Sequence, residues 1–498
     1  MSSLDWDKME FSYQATDSDN EIRLPLKLLI LGDFSGQYRL DIGSPVVVDK
    51  HSFPQVMKSI GAGISIEIAM DLTNQGVQFL DIDFKANSIS DFEPETLINK
   101  IDYLAAHVEL IELLKGISSD IELSSLDLTQ EHNQILQICG IEPGKLNIEE
   151  LSFIVFDVNE HLHEVLSFIL HHEQFQQQEA IWRNLYSLLS NLSDNSHCII
   201  EILDVNKALL EEDFYANRDI QETSLYDLVY LKEYGQYGGQ PYSVIIGDYY
   251  FGSGAQDVQL LKDIGKVCSL AHAPFIGGVS PRLFNIDDFG KLESISDLNE
   301  LLNSPKYIKW KGLQKQFESS YLGLALPRVK LRPRYNLPAG LLSELPFIEN
   351  STSQEQGFLY GNASFAYASC LISSFEKYSV CTDLVGTGGG RVDIYNSNAS
   401  DGRVYPNFQI EAALSEKQLF ELSGLGFLTL GFNKSQQQMF FTSSGSLRWG
   451  RFTEPSQCAS RSPITVYFYS FSYRSLFKSG ATRFNRFAKK FVANSVRA

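Results

Sequence analysis

A mixed α/β fold is predicted for this chain by three observations. Short apolar runs of strand length, Leu24–Leu31 and Val244–Ile246, each end at a Gly-Asp pair. Residues 64–69 and 77–84 alternate apolar and polar side chains, as half-buried strands do. Between and after these runs lie segments whose apolar residues recur at helical spacing.

The 498 residues are enough for two or more hydrophobic cores. Hydrophobic content of 44% and aromatic content of 12% exclude wholesale disorder. A net charge of −20 argues against nonspecific binding to nucleic acid or to an anionic membrane. The charge is unevenly spread. After Glu454 there is no Asp or Glu, while Arg461, Arg474, Lys478, Arg483, Arg486, Lys489, Lys490 and Arg497 follow. A basic end on an acidic body suits an acidic partner or another copy of the chain.

Cys139, Cys198, Cys268, Cys370, Cys381 and Cys458 show no CxxC pairing and read as reduced, buried thiols. The first residues, MSSLDWDKMEFSYQATDSDNE, lack the apolar centre of a signal peptide. No stretch approaches the roughly 20 apolar residues of a membrane span. The expected location is the cytoplasm, without membrane insertion.

The elements follow in order. Residues 1–20 read as a polar arm. Leu24–Leu31 is a strand and Val46–Val48 a second strand signal. Phe53–Ile60 has the length of a short helix, and the alternating pair 64–69 and 77–84 follows. Asp91, with Pro94 just inside, opens a helix carrying Leu97, Ile101, Leu104, Val108, Ile111 and Leu114, and Gly116 ends it. Residues 119–155, including Glu142-Pro143-Gly144, carry little regular pattern. From Leu151 to Leu189 one long helical pattern is expected. Then Tyr234, Gly235, Tyr237, Gly238, Gly239, Pro241 and Tyr242 make a turn rich in aromatic and glycine residues. It leads into the Val244–Ile246 strand.

Several of these segments resemble one family. YGQYGGQPYSVIIGDYYF (Tyr234–Phe251) with AHAPFI (Ala271–Ile276) resembles the large subunit of the type VI secretion contractile sheath, TssC/VipB. So do His171, His172, Phe175, Glu179, Trp182 and Arg183 on the long helical pattern. LGLALPRVKLRPRY (Leu322–Tyr335), LYGNASFAYA (Leu359–Ala368), GTGGGR (Gly386–Arg391) and GFLTL (Gly426–Leu430) extend the likeness. Upstream, PLKLLILGDFSG (Pro25–Gly36), Val48-Asp49-Lys50 and SISDFEPETL (Ser88–Leu97) resemble the small sheath subunit, TssB/VipA.

The resemblance implies a contractile-sheath fold with a small-subunit-like lobe packed on a large-subunit-like lobe. It divides the chain into an arm (1–20), a small-subunit domain (21–118), a join (119–150), a large-subunit domain (151–480) and a C-terminal helix (481–498). It implies a structural protomer, not an enzyme, that polymerises helically around inner-tube hexamers. Baseplate proteins trigger contraction, and a AAA+ unfoldase recycles the family's sheaths. Two departures stand out. The large subunit's usual N-terminal region, which such an unfoldase grips, is replaced by the join. After TRFNRFAKKF (Thr482–Phe491) the family's clasping strands do not follow. Their loss motivates an alternative, a non-contractile assembly, cap or baseplate factor. The arm or the run Ile464–Phe477 offers another means of pairing across protomers.

The candidate partner-binding residues are Arg483, Phe484, Arg486, Phe487, Lys489, Lys490 and Phe491. The three phenylalanines fall at i, i+3 and i+7 on one helical face, with the basic residues around it. Three readings stay open: docking on an acidic partner (the inner tube, by resemblance), packing on the chain's own acidic body, and lying on a membrane surface.

No other cluster completes a reactive site. His161, His163, His171 and His172 share a helical stretch, but His163 and His171 lie about two turns apart. No Cys or carboxylate stands at metal-site spacing, so no metal is expected. Gly386–Arg391 lacks the Lys-Ser/Thr of a phosphate loop and reads as a turn. Asp33, Asp248 and Asp257 read as caps, and Ser253 lacks a nucleophile-elbow context. Trp182 and Arg183 fit core or interface equally. No cofactor is expected.

Overall fold

The computed structural model describes residues 25–448 apart from 73–75, 118–127, 142–150, 195, 218, 236–238, 344, 350–357, 393–409 and 434–437. The first strand, β1 (Leu26–Gly32), is interior to the main sheet and buried along its whole length. A strand reading LKLLILG is apolar on both faces, which suits a central parallel position. The edge strand β2 (Val46–Val47) is exposed, and β3 (Ala62–Leu72) and β4 (Gly76–Ala86) form a separate antiparallel hairpin.

The remaining strands come from further along the chain. They are β5 (Cys198–Asp204), β6 (Val244–Phe251), β7 (Phe275–Val279), β8 (Leu322–Leu326), β9 (Val329–Arg332), β10 (Asn336–Leu337), β11 (Phe347–Ile348), β12 (Leu359–Gly361), β13 (Arg391–Val392), β14 (Leu428–Asn433) and β15 (Gln438–Phe441). The main sheet runs β13-β15-β14-β8-β7-β6-β1-β5-β2. From β5 to β14 its neighbours are parallel, and antiparallel strands flank them on both sides.

The small-subunit-like segment therefore supplies an interior strand of the main sheet. Leu26 to Gly32 pair with Cys198 to Asp204 on one side, and Leu28 to Leu31 with Val244 to Gly247 on the other. Alternation sends Leu28 and Ile30 into one core cluster and Leu29 and Leu31 into the other. Each half of the chain thus contributes to both cores.

On the first side the core cluster is built by α1 (Phe53–Ile60), α2 (Pro94–Lys100), α3 (Asp102–Lys115), α4 (Gln130–Ile138), α5 (Leu151–His171) and α6 (Glu173–Ser190), and the helix Ala363–Tyr378 packs directly on β6, β7 and β8. Helix α7 (Lys207–Ala216) and the helix Ala255–Ala271 cover the other. The α1 bounds coincide with the expected Phe53–Ile60.

Four elements differ from the sequence reading. The single helix expected from Asp91 is split. Asp91 caps a short turn by accepting from the Asn87 and Ser88 N–H groups, and Ile101 is extended (φ −98°, ψ 112°), ending α2 before α3 begins. The Leu151–Leu189 pattern breaks at His172 (φ −65°, ψ 133°), where α6 starts. In the stretch expected to lack pattern, α4 forms. Thr129 accepts from the His132 N–H at 3.2 Å, and Ile135 and Leu136 are buried. The fourth, β6, continues past Gly247-Asp248 to Phe251, with a register shift between Ile246 and Tyr250.

One glycine shapes the turn after β1. Gly36 has φ +64°, and a β-carbon there would lie 2.3 Å from the Gly63 carbonyl oxygen. Only glycine lets the GDFSG turn lie so close to the start of the hairpin.

Candidate functional site

The chemistry-bearing side chains converge where the two halves of the chain meet. Helix α6 grips the turn after β1. The fully buried Trp182 donates from Nε1 to the Phe34 carbonyl at 3.1 Å, and Gln178 donates to the Asp33 carbonyl at 2.7 Å. Phe34 and Phe53 meet the Trp182 indole edge-on, at 5.3 and 5.8 Å between ring centres. Phe175 joins Phe92 and Phe84 in a second aromatic cluster. Trp182 is thus a core residue that joins the halves.

Arg183 lies beside it in a buried charge network. Arg183 donates to Glu179 Oε1 at 2.7 Å, and Arg332 donates to the same oxygen at 2.8 Å. Arg332 Nη1 reaches Glu349 Oε2 at 3.0 Å, and His171 Nε2 lies 3.2 Å from Glu349 Oε1. Burial works against a charged Arg332, but Glu179, Tyr335 and Glu349 outweigh it and push its pKa up. Burial likewise raises Glu349, yet the adjacent His171 imidazole and the Arg332 charge hold it below the ordinary glutamate value. Residues quoted from distant motifs, His171, Glu179, Arg183, Arg332 and Tyr335, therefore form one group. His172 is not part of it.

A second buried ion cluster lies on β1. Lys27 Nζ contacts Glu233 at 2.9 Å and Glu201 at 3.1 Å, and sits 4.3 Å from the centre of the Tyr242 ring. The Tyr242 hydroxyl donates to Glu201. Burial, then the Glu201 hydrogen bond and charge, raise the Tyr242 phenol. Lysine from the first half is thus neutralised by carboxylates of the second. Sequence reasoning missed this cluster. The one signal was a lone lysine inside an apolar strand.

A helical seam forms where α3 packs against α5, with α4 packed on α3. The Tyr103 hydroxyl lies 3.3 Å from His161 Nε2, His107 Nδ1 lies 2.7 Å from the Tyr103 carbonyl, and the two imidazoles are 5.2 Å apart. Burial lowers His107 to about 3 and His161 to about 4, so both are neutral near pH 7. His163 faces Ser343 at 3.0 Å and is a structural residue.

Asp257 accepts the Gly252 N–H at 2.6 Å and pairs with Lys207, as a capping residue does. Asp33 accepts the Gly36 N–H at 2.9 Å. Asp33 is raised above the ordinary aspartate value by burial first, then by the Asp204 charge. Burial first, then Asp33, push Asp248 up to about 7 against an opposing Asn362 hydrogen bond. Among the described residues no His, Cys, Asp and Glu side chains are grouped to hold a metal ion. No helix among them is long and apolar enough to cross a membrane. Gly386–Gly389 is one helical turn leading into β13. The candidate residues Arg483, Phe484, Arg486, Phe487, Lys489, Lys490 and Phe491, the arm 1–20 and the run Ile464–Phe477 lie outside the described residues.

Comparison with known proteins bears on this arrangement. Residues 153–448 match the family VipB, described as EvpB/VC_A0108, tail sheath N-terminal domain. Residues 8–138 match T6SS_VipA, described as type VI secretion system, VipA, VC_A0107 or Hcp2. The chain is 29% identical over 308 residues to the type VI secretion system sheath protein TssC1 of Pseudomonas aeruginosa. That alignment covers 60% of this chain, and the chain spans 62% of the length of this curated relative. With a strand from the VipA-type segment paired on both sides by strands of the VipB-type segment, the chain belongs to the VipB tail-sheath family of type VI secretion, as a single-chain VipA–VipB fusion.

Proposed function

We propose that the chain is a structural protomer of a contractile sheath, which polymerises helically around an inner tube and drives it outward on contraction. The observation that carries this reading is the position of β1. Family membership gives the sheath, and β1 makes the two subunit-like segments one building block. Fusion removes the entropy cost of bringing a separate small subunit to the large one.

In this reading the chain divides into the arm (1–20), a small-subunit domain (21–118), the join (119–150), a large-subunit domain (151–480) and a tube-docking segment (481–498). It works in the cytoplasm without catalysis, in a high-energy extended lattice released by baseplate proteins. A AAA+ unfoldase disassembles the contracted form. Arg483, Phe484, Arg486, Phe487, Lys489, Lys490 and Phe491 hold the tube, and contacts of that kind weaken with salt.

Co-sedimentation with purified tube protein tests the reading. The full chain pellets with the tube, and a folded chain lacking 482–498 does not. Charge reversal at Arg486 and Lys490 weakens pelleting most at low salt. Pelleting unchanged by the deletion contradicts the tube-docking assignment.

A further inference from the structure

Helix α5 carries a stripe that the described residues leave exposed. Phe153 is 70% exposed, Phe156 48% and Phe168 61%. Asp157, Glu160 and Glu164 are exposed on the same side. At about 100° per residue these six positions fall within one third of the helix circumference. The opposite side, through Ile154, Val158, Leu162, Val165, Leu166 and Ile169, is in the core. Three phenylalanines and three carboxylates on one exposed helical face form a partner-binding surface of definite chemistry. Its negative charge disfavours nucleic acid and anionic lipid.

The sequence contains its complement. Residues 482–491 place Phe484, Phe487 and Phe491 at i, i+3 and i+7, flanked by Arg483, Arg486, Lys489 and Lys490. We propose that the α5 stripe is the docking site for residues 482–491 of the same chain before assembly. Phenylalanines meet phenylalanines, and the basic residues meet Asp157, Glu160 and Glu164. From Phe153 to Phe168 the stripe runs about 22 Å, room for a ten-residue helix of about 15 Å. Residues 449–481 connect the last described residue to the segment. Fully extended they span about 110 Å, against a radius of gyration of about 23 Å for a compact chain of this length. A tethered segment also meets the stripe at a higher local concentration than one from a second copy.

The consequence is a masked protomer, in which the basic segment is occupied until a denser acidic surface displaces it. This goes beyond the sheath reading and does not depend on it, because the contact forms without tube or polymer. It is tested on the full chain, unassembled, with the photo-crosslinker benzoylphenylalanine in place of Phe168. Copies with heavy and light nitrogen are mixed before illumination. The expected product joins position 168 to residues 482–491 within one isotopic species. Its yield falls about fivefold or more in about 1 M salt, where the Debye length is about 3 Å. E160K/E164K abolishes the product, and adding R486E/K490E restores it. Because Glu160 and Glu164 are exposed, the fold tolerates their exchange. Crosslinks to another segment, mixed-isotope products, a salt-insensitive yield or no product would each overturn the proposal.

Discussion

The two halves of this protein meet at two seams built on different physics. At the first, β1 lies between β5 and β6, held by backbone hydrogen bonds on both sides and by side chains in both cores. At the second, α3 packs against α5 through side chains, around neutral His107 and His161, and α4 packs on α3. The strand seam has a charge inside it, Lys27, but that charge is matched by Glu201 and Glu233. The helical seam has imidazoles that must stay uncharged. The contrast teaches that the strand seam rests on backbone pairing and matched charges, and the helical seam is only as firm as its histidines are neutral.

The largest expected effect comes from uncovering the strand-seam charges. Lys27→Met leaves two carboxylates without their cation and is expected to cost about 4 kcal/mol. Changing Glu201 and Glu233 to Gln in the same chain recovers most of the loss. Denaturant midpoints measure both, and a neutral Lys27→Met would mean that solvent reaches the cluster. Next, Ile30→Ala opens a cavity beside β1 and costs about 3 kcal/mol, raising exchange of the β5 and β6 amides as well. Exchange confined to β1 itself would show the strand to be a separable addition to the sheet.

Acid separates the two seams. His107 and His161 are depressed in the folded protein, so below about 6.5 the unfolded chain binds protons that the folded one does not. Stability from these groups is therefore complete above that pH and lost progressively as pH falls toward 4 and 3. Between pH 6 and 5 the loss is roughly 1 kcal/mol for each histidine. Asp248, raised to about 7, acts with the opposite sign, since protonation there favours the folded form. The readout is accordingly local. Amides of α3 and α5 exchange faster at pH 5 while those of β1 hold, and His107→Phe with His161→Phe removes the difference. Equal acceleration at both seams would break the comparison.

The smallest effect is at the end of the helical seam. Thr129→Ala removes the cap of α4 and costs about 1 kcal/mol, visible in α4 amides and absent from β1.

What was legible in the sequence follows the same division. The apolar LPLKLLIL run announced a buried strand, and the alternating pair announced the hairpin, because both signals lie within a few residues. That β1 is inserted between β5 and β6 was not legible, since its partners begin at Cys198 and Val244. The breaks at Ile101 and His172 were hidden because one extended residue leaves the apolar spacing nearly intact. Helix α4 was missed because its cap pairs Thr129 with His132, where the familiar signature has Glu or Gln, and because few apolar residues mark its face. Among the motif residues, Trp182 and Arg183 were visible as a pair but their roles were not. One closes an aromatic core and the other enters an ion network whose members span Glu179 to Glu349.

Negative-stain electron microscopy of the full chain, alone and with purified tube protein, tests the central claim most directly. If the fused halves make a self-sufficient protomer, hollow helical tubes of sheath width form without any added small subunit. Monomers or small rings alone, with tube protein present, would contradict it.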